Sequence, residues 1–104
     1  MAFEMLVGLQ ILDDDMYSAY RAAMKPILSL YNGAFGYDFR VDEVLKTVNG
    51  TEQEQKINRV FTIYFDSKAA SDNFFGDADY LAVKSKFFEQ SVGGTTIISS
   101  YERS

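Results

Sequence analysis

Cysteine and histidine are both absent from this 104-residue chain. Without cysteine there is no disulfide, no thiolate nucleophile and no Cys-ligated metal. Without histidine the usual general base is missing, which excludes Ser-His-Asp and Cys-His catalysis and His-ligated zinc or iron. The two absences remove many enzyme classes and favour a protein that holds no cofactor.

Basic residues are scarce. Ten Lys and Arg stand against 15 Asp and Glu, which gives a formal net charge of −5. A nucleic-acid-binding domain needs a concentrated basic face to displace counterions from phosphates. We therefore expect no nucleic-acid partner.

Long apolar runs are also lacking. The apolar residues at the start of the chain, over residues 1–11, stop far short of the ~20 that span a membrane. The same segment has neither the basic start nor the cleavage site of a signal peptide. We therefore expect a cytoplasmic protein with no membrane partner.

Aromatic residues, in contrast, are abundant. Nine Phe and seven Tyr make up 15% of the chain, within a hydrophobic content of 47%. A chain of this length forms one core, so we predict a single domain over residues 1–104. Because aromatic side chains bury large areas in cores and in interfaces, this composition predicts more apolar surface than a small monomer readily hides.

The first third of the chain reads as a strand followed by a helix. Apolar residues alternate over residues 3–11, the pattern of a strand. The aspartates at 13–15 then provide an N-cap and a negative first turn for a helix that ends at Asn32-Gly33. Pro26 lies inside this helix, where a proline costs roughly 3 kcal/mol, so we expect a kink over residues 22–26.

The rest of the chain supplies three more strands and a second helix. Residues 35–41 alternate as a strand, with a possible continuation over 44–48, and residues 49–58 are polar and read as a loop. Residues 59–65 are apolar on both faces, which is typical of a central strand. A helix capped by Ser67, broken at Gly76-Asp77 and resumed to Phe88 follows. Gly93-Gly94 ends it, before a last strand over residues 95–101.

The order of elements is β-α-β-β-α-β. With right-handed connections it predicts an α+β, ferredoxin-like fold: a four-stranded antiparallel sheet of order 4-1-3-2 with two helices on one face. The other face of such a sheet lacks a cover. An exposed apolar patch of that size normally marks an interface, so we expect a homodimer that forms through the sheet face.

Two acidic clusters were considered as chemical sites. The aspartates at 13–15 are more simply explained as a helix cap than as a cation site, and we predict no metal. Glu52 and Glu54 lie in the polar loop, where we expect a solvated pair rather than an acid-base pair, since acid-base chemistry needs one buried carboxyl group.

The tyrosines suggest a binding site. They combine an apolar ring with a hydroxyl, and the two irregular places in the helices, at Pro26 and at Gly76-Asp77, leave room beneath them. We predict a cleft between sheet and helices that holds a flat, mostly apolar ligand. The alternative, that these side chains only pack, stays open. The candidate ligand-binding residues are Tyr20, Met24, Tyr37, Arg59, Tyr64, Phe74 and Tyr80.

Several short patterns resemble one known family. They are Tyr17-x-x-Tyr20, Pro26-Ile27-Leu28 followed by Asn32-Gly33, Phe61-x-Ile63-x-Phe65-x-Ser67 followed by Ala70, and Tyr80 with Lys84. In these residues the chain resembles a family of small bacterial domains of unknown function in the dimeric α+β barrel superfamily. The resemblance covers nearly the whole chain and implies two sheets that face one another as a barrel, with the helices outside.

The resemblance also implies a range of functions. Other members of the superfamily include cofactor-free monooxygenases, lactone isomerases and haem-degrading enzymes, with ligands between sheet and helices. The absence of His and Trp sets this chain apart from the haem and Trp-dependent relatives. Three hypotheses follow: a small-molecule binding protein, a cofactor-free monooxygenase or isomerase that uses a tyrosine and an arginine, and a purely structural dimer.

Overall fold

The computed structural model describes residues 2–103 and shows the predicted fold. Four strands form one antiparallel sheet of order β2-β3-β1-β4, which confirms the ferredoxin-like α+β prediction. The elements in chain order are β1 (Ala2–Ile11), α1 (Asp14–Leu30), β2 (Ala34–Arg40), α2 (Glu52–Gln55), β3 (Arg59–Phe65), α3 (Lys68–Phe75), α4 (Ala78–Val83), a π-helical turn (Lys84–Phe88), α5 (Glu89–Ser91) and β4 (Val92–Arg103).

Helix α1 begins as predicted. The side chain of Asp13 accepts a hydrogen bond of 3.0 Å from the backbone N–H of Met16, and two further aspartates occupy the first turn. The helix continues through Pro26 to Leu30. Pro26 and Ala22 are both exposed, so the carbonyl that the proline leaves without a donor lies on the solvent side, where water can reach it.

The predicted break in the second helix is confirmed. Helix α3 ends at Gly76, and the side chain of Asp77 then caps α4 by accepting hydrogen bonds from the N–H groups of Asp79 and Tyr80, at 2.8 and 3.1 Å. Helical backbone then runs without a gap to Ser91, through the π-helical turn and α5. The second helical segment, residues 68–91, therefore has two irregular places instead of one.

The prediction that Gly93-Gly94 ends a helix was wrong. Both glycines lie inside β4, and Gly94 pairs with Gln10 of β1. A side chain at either position lacks space: a Cβ on Gly94 would come within 2.5 Å of the side chain of Gln53, and a Cβ on Gly93 within 2.7 Å of that of Gln10. The glycines are therefore explained by close packing rather than by a turn.

The segment between β2 and β3 also differs from expectation. Residues 44–48 form no strand, and the predicted loop at 49–58 contains the short helix α2. Glu52 is exposed and pairs with Lys56, whereas Glu54 is buried and accepts a hydrogen bond of 2.9 Å from Asn49 Nδ2. The two glutamates are thus not the solvated pair that the polar composition suggested, because the helix directs them to different sides.

The core lies between the helices and one face of the sheet, which we call the covered face. Alternate residues of β1 and β3 supply the sheet side, and α1, α3 and α4 supply the helix side. The buried apolar residues of the covered face are Phe3, Val7, Leu9, Ile11, Phe61, Ile63 and Phe65, and the buried helix residues above it include Tyr17, Tyr20, Met24, Leu28, Phe74 and Tyr80.

The other face of the sheet, the open face, carries no helix. Its positions follow from the strand register and include Glu4, Leu6, Tyr37, Phe39, Val60, Thr62, Tyr64 and Tyr101. A shift in register between Phe35 and Asp38 determines which residues of β2 lie on the open face. Phe35 lies on the covered face, but after the shift Asp38 takes that face and Phe39 is turned to the open one.

Candidate functional site

A cavity of about 230 Å³ separates the covered face from the helices. Most of its wall is aliphatic or aromatic. Residues from every strand, from α1 and from the second helical segment contribute. The lining comprises Met5, Val7, Leu9, Phe35, Phe61 and Ile63 of the sheet core, Tyr17, Tyr20 and Met24 of α1, Phe75, Tyr80, Lys84 and Phe88 of the second helical segment, and Thr95 and Ile97 of β4.

The cavity reaches solvent beside β4. This strand forms one edge of the sheet, and its lining residues are the least covered part of the wall: Thr95 is exposed and Ile97 is 50% exposed. The helix side of the wall, around Tyr17 and Met24 of α1, is fully buried. A ligand would therefore enter past β4 and place its apolar part beneath α1.

Two buried tyrosines provide the polar groups at this wall. The hydroxyls of Tyr20 and Tyr80 share a hydrogen bond of 2.9 Å, although the residues are 60 positions apart. Burial raises the pKa of both phenols, so both are neutral at pH 7. Two neutral hydroxyls carry two protons and their mutual bond uses one, so the other can be donated to an oxygen atom of a ligand.

A third tyrosine in the wall contacts an arginine. Arg21 Nε donates a hydrogen bond of 2.8 Å to the hydroxyl of Tyr17, and the guanidinium carbon lies 3.8 Å from the ring centroid of Phe35. Burial raises the pKa of Tyr17, and the nearby Arg21 opposes that shift. Because its oxygen accepts from Arg21, Tyr17 keeps its own proton to donate.

Arg59, a predicted ligand residue, is held outside the cavity. Its Nε and Nη2 donate to the two carboxylate oxygens of Asp38 at 2.7 and 2.8 Å, a bidentate pair. These hydrogen bonds lower the pKa of Asp38. Arg21 lies farther from the same carboxylate, at 3.5 Å, so the charge of Asp38 mainly neutralises that of Arg59.

The seven predicted site residues fall into three groups. Tyr20, Met24 and Tyr80 line the cavity. Phe74 is fully buried behind it, with its ring 4.5 Å from that of Tyr80, and Arg59 is paired with Asp38. Tyr37 and Tyr64 lie on the open face, where Tyr64 pairs with Glu4 across the strands and its ring lies 5.1 Å from the guanidinium carbon of Arg103.

Sequence reasoning missed several residues of the wall. Tyr17 was noted only as a member of a motif, although its three-residue spacing from Tyr20 places both on one face of α1. Lys84 and Phe88 follow Tyr80 at intervals of four residues, a signal that was available in the sequence. This spacing keeps Tyr80, Lys84 and Phe88 on one side of the helix only because of the π-helical turn, and no residue pattern indicated that turn.

The open face offers a different kind of surface. The rings of Tyr37 and Phe39 stack at 5.7 Å and are 71% and 55% exposed. At the far end, Glu4 is buried and accepts hydrogen bonds from the hydroxyl of Tyr101 and, at 2.7 Å, from Arg103 Nη1. This face therefore combines exposed aromatic area with a fully paired carboxylate.

A second depression, of about 630 Å³, lies between this face and the segment before α2. Its walls include Leu45 and Val48, which are 87% and 98% exposed, so it is an open surface rather than an enclosed site. Within residues 2–103, no cluster of acidic side chains has the geometry of a metal site, and no helix is both long and apolar enough to cross a membrane.

Comparison with known proteins supports the fold alone. No family model matches the chain, and no curated protein matches it. Among solved structures, a protein of unknown function from Rhodopseudomonas palustris is similar over 98% of this chain and 82% of its own, with a TM-score of 0.73 and 17% identity.

Two further structures share the architecture. A DABB family protein with a ferredoxin-like fold from Mesorhizobium loti is similar over 98% of this chain and 96% of its own, with a TM-score of 0.63 and 16% identity. A dimeric ferredoxin-like protein of unknown function from Thermobifida fusca is similar over 99% of this chain and 92% of its own, with a TM-score of 0.60 and 10% identity. At these identities the likeness extends to the fold and not to the chemistry of the cavity.

Proposed function

We propose that this protein is a homodimer that binds a small, flat, mostly apolar molecule in the cavity between sheet and helices. The observation that carries the proposal is the apolar cavity of about 230 Å³ with a buried tyrosine pair in its wall. Apolar walls with a few placed hydroxyls are typical of small-molecule sites.

The size of the cavity sets the size of the ligand. An engineered apolar cavity of roughly 150 Å³ holds benzene. A volume of about 230 Å³ therefore suits one or two rings with small substituents. The uncommitted proton of the Tyr20–Tyr80 pair favours a ligand with an oxygen acceptor, such as a phenol or a ring carbonyl.

The open face supports the homodimer. Exposed Tyr37 and Phe39 form an aromatic patch there, and stable protein interfaces bury about 800 Å² on each partner with aromatic residues enriched at the centre. A two-fold axis lets one such patch meet its copy. The Thermobifida fusca protein of the same fold is described as dimeric, which agrees with this arrangement.

Light scattering tests the dimer. The chain has a mass of 11.8 kDa, and the wild type is expected at twice that value at micromolar concentration. Phe39→Lys places a charge at the centre of the patch and should shift the mass to that of one chain. Leu30→Lys, at an exposed position of α1, should leave the measured mass unchanged. A wild-type monomer would contradict the proposal.

Calorimetry with 2-naphthol and naphthalene tests the cavity. Both are flat and fit the expected size, and 2-naphthol adds one hydroxyl. We expect 2-naphthol to bind in the micromolar range. Ile97→Trp should abolish binding by filling the mouth of the cavity, whereas Leu30→Trp adds the same side chain at a distant exposed position and should not. Absence of binding to the wild type at millimolar concentration would favour the purely structural dimer.

One observation favours a catalytic variant of the same site, a cofactor-free monooxygenase or isomerase. The hydroxyl of Tyr17 accepts a hydrogen bond from Arg21, so its proton is poised to stabilise an enolate- or phenolate-like oxygen. In that reaction water would take the α-proton and Tyr17 would donate a hydrogen bond to the enolate oxygen, so faster exchange of the α-hydrogens of an aromatic ketone with solvent deuterium in the presence of the wild type would support this. Exchange that is unaffected by Tyr17→Phe would contradict it.

A further inference from the structure

Lys84 stands apart from the rest of the cavity wall. Within the described part of the chain it is the one charged residue of the lining, and it is partly buried. It begins the π-helical turn and lines the same cavity as Thr95 and Ile97, which form the mouth. A cation at the edge of an apolar cavity is costly unless its ammonium group reaches water or a partner.

No partner for Lys84 exists among residues 2–103. The ion pairs there involve Arg21, Arg59, Lys56, Lys68 and Arg103, and each of these cations has a carboxylate within reach. Arg21 and Arg59, the cations that lie beside Tyr17 of the cavity wall, share Asp38. Lys84 is thus the cation of the cavity wall, and among residues 2–103 no carboxylate lies within ion-pair distance of it.

The backbone gives a reason why Lys84 faces the cavity. In an α-helix each residue turns by about 100°, so residues spaced by four drift by about 40° at each step. Tyr80, Lys84 and Phe88 are spaced by four, yet all three line the cavity. The π-helical turn from Lys84 to Phe88 is wider and holds more residues per turn, which reverses the drift. Turns of this kind occur frequently at functional sites.

We infer that Lys84 selects ligands that carry a carboxylate. The inference rests on the proposed binding function and makes it more specific: the ligand is an aromatic carboxylic acid, with its ring beneath α1, its carboxylate on Lys84 and any further oxygen acceptor on the Tyr20–Tyr80 pair. In a chain of net charge −5, a cation in the wall gives this cavity a local positive charge that attracts a carboxylate.

The test compares 2-naphthoate with 2-naphthol, two probes with the same rings and different charge at neutral pH. Calorimetry on the wild type is expected to show a preference for 2-naphthoate of about five- to tenfold, because a charge-assisted hydrogen bond is stronger than a neutral one. Raising the salt concentration should reduce that preference and leave 2-naphthol unaffected.

Three variants assign the effect. Lys84→Gln should remove the preference and keep the affinity for 2-naphthol, which also shows that the cavity is intact; Lys84→Arg should retain the preference. Lys86→Gln is the matched control, because Lys86 belongs to the same turn but is exposed, with its ammonium 5.2 Å from the ring centroid of Phe87 and outside the lining.

The outcomes separate the two proposals. If 2-naphthol binds but 2-naphthoate binds no more tightly, the assignment of Lys84 is wrong and the binding function stands. The assignment is also wrong if the preference survives in Lys84→Gln, or if Lys86→Gln reduces it equally, since a general charge effect would then explain it. If neither compound binds, both proposals are lost.

Discussion

The two faces of the sheet are built from the same alternating strands but serve different ends. The buried part of the covered face is apolar and packs against the helices, yet a cavity of about 230 Å³ remains between them. The open face presents the exposed stack of Tyr37 and Phe39 at one end and the buried, paired Glu4 at the other. The covered face therefore holds the chain together and encloses a cavity, whereas the open face leaves aromatic area exposed.

The comparison shows how little sequence separates the two roles. Phe35, Tyr37 and Phe39 are spaced by two and would share a face in a regular strand. The register shift sends Phe35 to the core and the other two to the open face. It also brings Asp38 to the covered face, beside Arg59. One irregular step in an edge strand thus creates both the aromatic patch and the ion pair.

The largest difference between the faces should appear in folding stability. Phe65 is fully buried, and its ring packs against Phe74 and Phe75 at centroid distances of 5.5 and 5.9 Å. We expect Phe65→Ala to lower the free energy of unfolding by about 3–5 kcal/mol. Tyr37→Ala, on the open face, should cost less than about 1 kcal/mol, since Tyr37 is mostly exposed.

Urea unfolding of the two variants at one low protein concentration measures this contrast. A low concentration is needed because dimer formation would add stability to the wild type and not to an open-face variant. Equal losses in Phe65→Ala and Tyr37→Ala would mean that the open face contributes to folding as much as the core does.

Removing the charge of Asp38 tests what the register shift brings to the covered face. Asp38→Asn takes a charge-assisted pair from Arg59 and should lower the free energy of unfolding by about 1–3 kcal/mol at pH 7. Asp42→Asn, an exposed neighbour that forms no ion pair within residues 2–103, should change it little.

The effect of Asp38 should depend on pH in one direction. Its pKa in the folded protein is lowered by the hydrogen bonds from Arg59, so its contribution is fully present above the ordinary carboxyl pKa and is lost as the pH falls through the lowered value. The gap between the wild type and Asp38→Asn should stay constant near pH 7 and shrink below about pH 4. A gap that widens in acid would contradict the ion-pair explanation.

A tyrosine hydroxyl should matter for binding on one face only. The double variant Tyr20→Phe with Tyr80→Phe removes both hydroxyls of the pair and should weaken 2-naphthol binding by about 0.5–1.5 kcal/mol, with no effect on naphthalene. Tyr37→Phe removes a hydroxyl on the open face and should alter neither affinity. Calorimetry on the two variants decides the matter, and equal weakening of 2-naphthol and naphthalene would point to a changed cavity shape instead.

The smallest predicted effect concerns the register shift itself. Thr62 Oγ1 accepts a hydrogen bond of 2.8 Å from the N–H of Tyr37, inside the irregular step. Thr62→Val keeps the shape and removes the acceptor, and should cost about 0.5–1 kcal/mol, since water can reach the freed N–H at the edge strand. Thr96→Val, elsewhere on the same face, is the control. If Thr62→Val and Thr96→Val lower the free energy of unfolding equally, the hydrogen bond from Tyr37 to Thr62 does not stabilise the register shift.

The outcome for individual residues explains which predictions succeeded. The cap at Asp13, the break at Gly76-Asp77 and the central position of β3 depend on neighbours in sequence, and all three were predicted correctly. Tyr37 was placed in the cleft because alternation was extended through the register shift. Two consecutive glycines after a helical pattern indicate a helix end, but at Gly93 and Gly94 the side chains of Gln10 and Gln53, distant in sequence, explain the glycines.

The sequence by itself determined the order of elements, the sheet topology and the apolar character of the covered face, because periodicity and capping act over a few residues. Only the tertiary structure decided which tyrosines meet, which arginine is paired and that Lys84 faces the cavity. These facts depend on how surfaces from distant parts of the chain fit, as with Tyr20 and Tyr80, 60 residues apart. Such contacts are determined by close packing in the interior and by the π-helical turn, and no local sequence pattern encodes them.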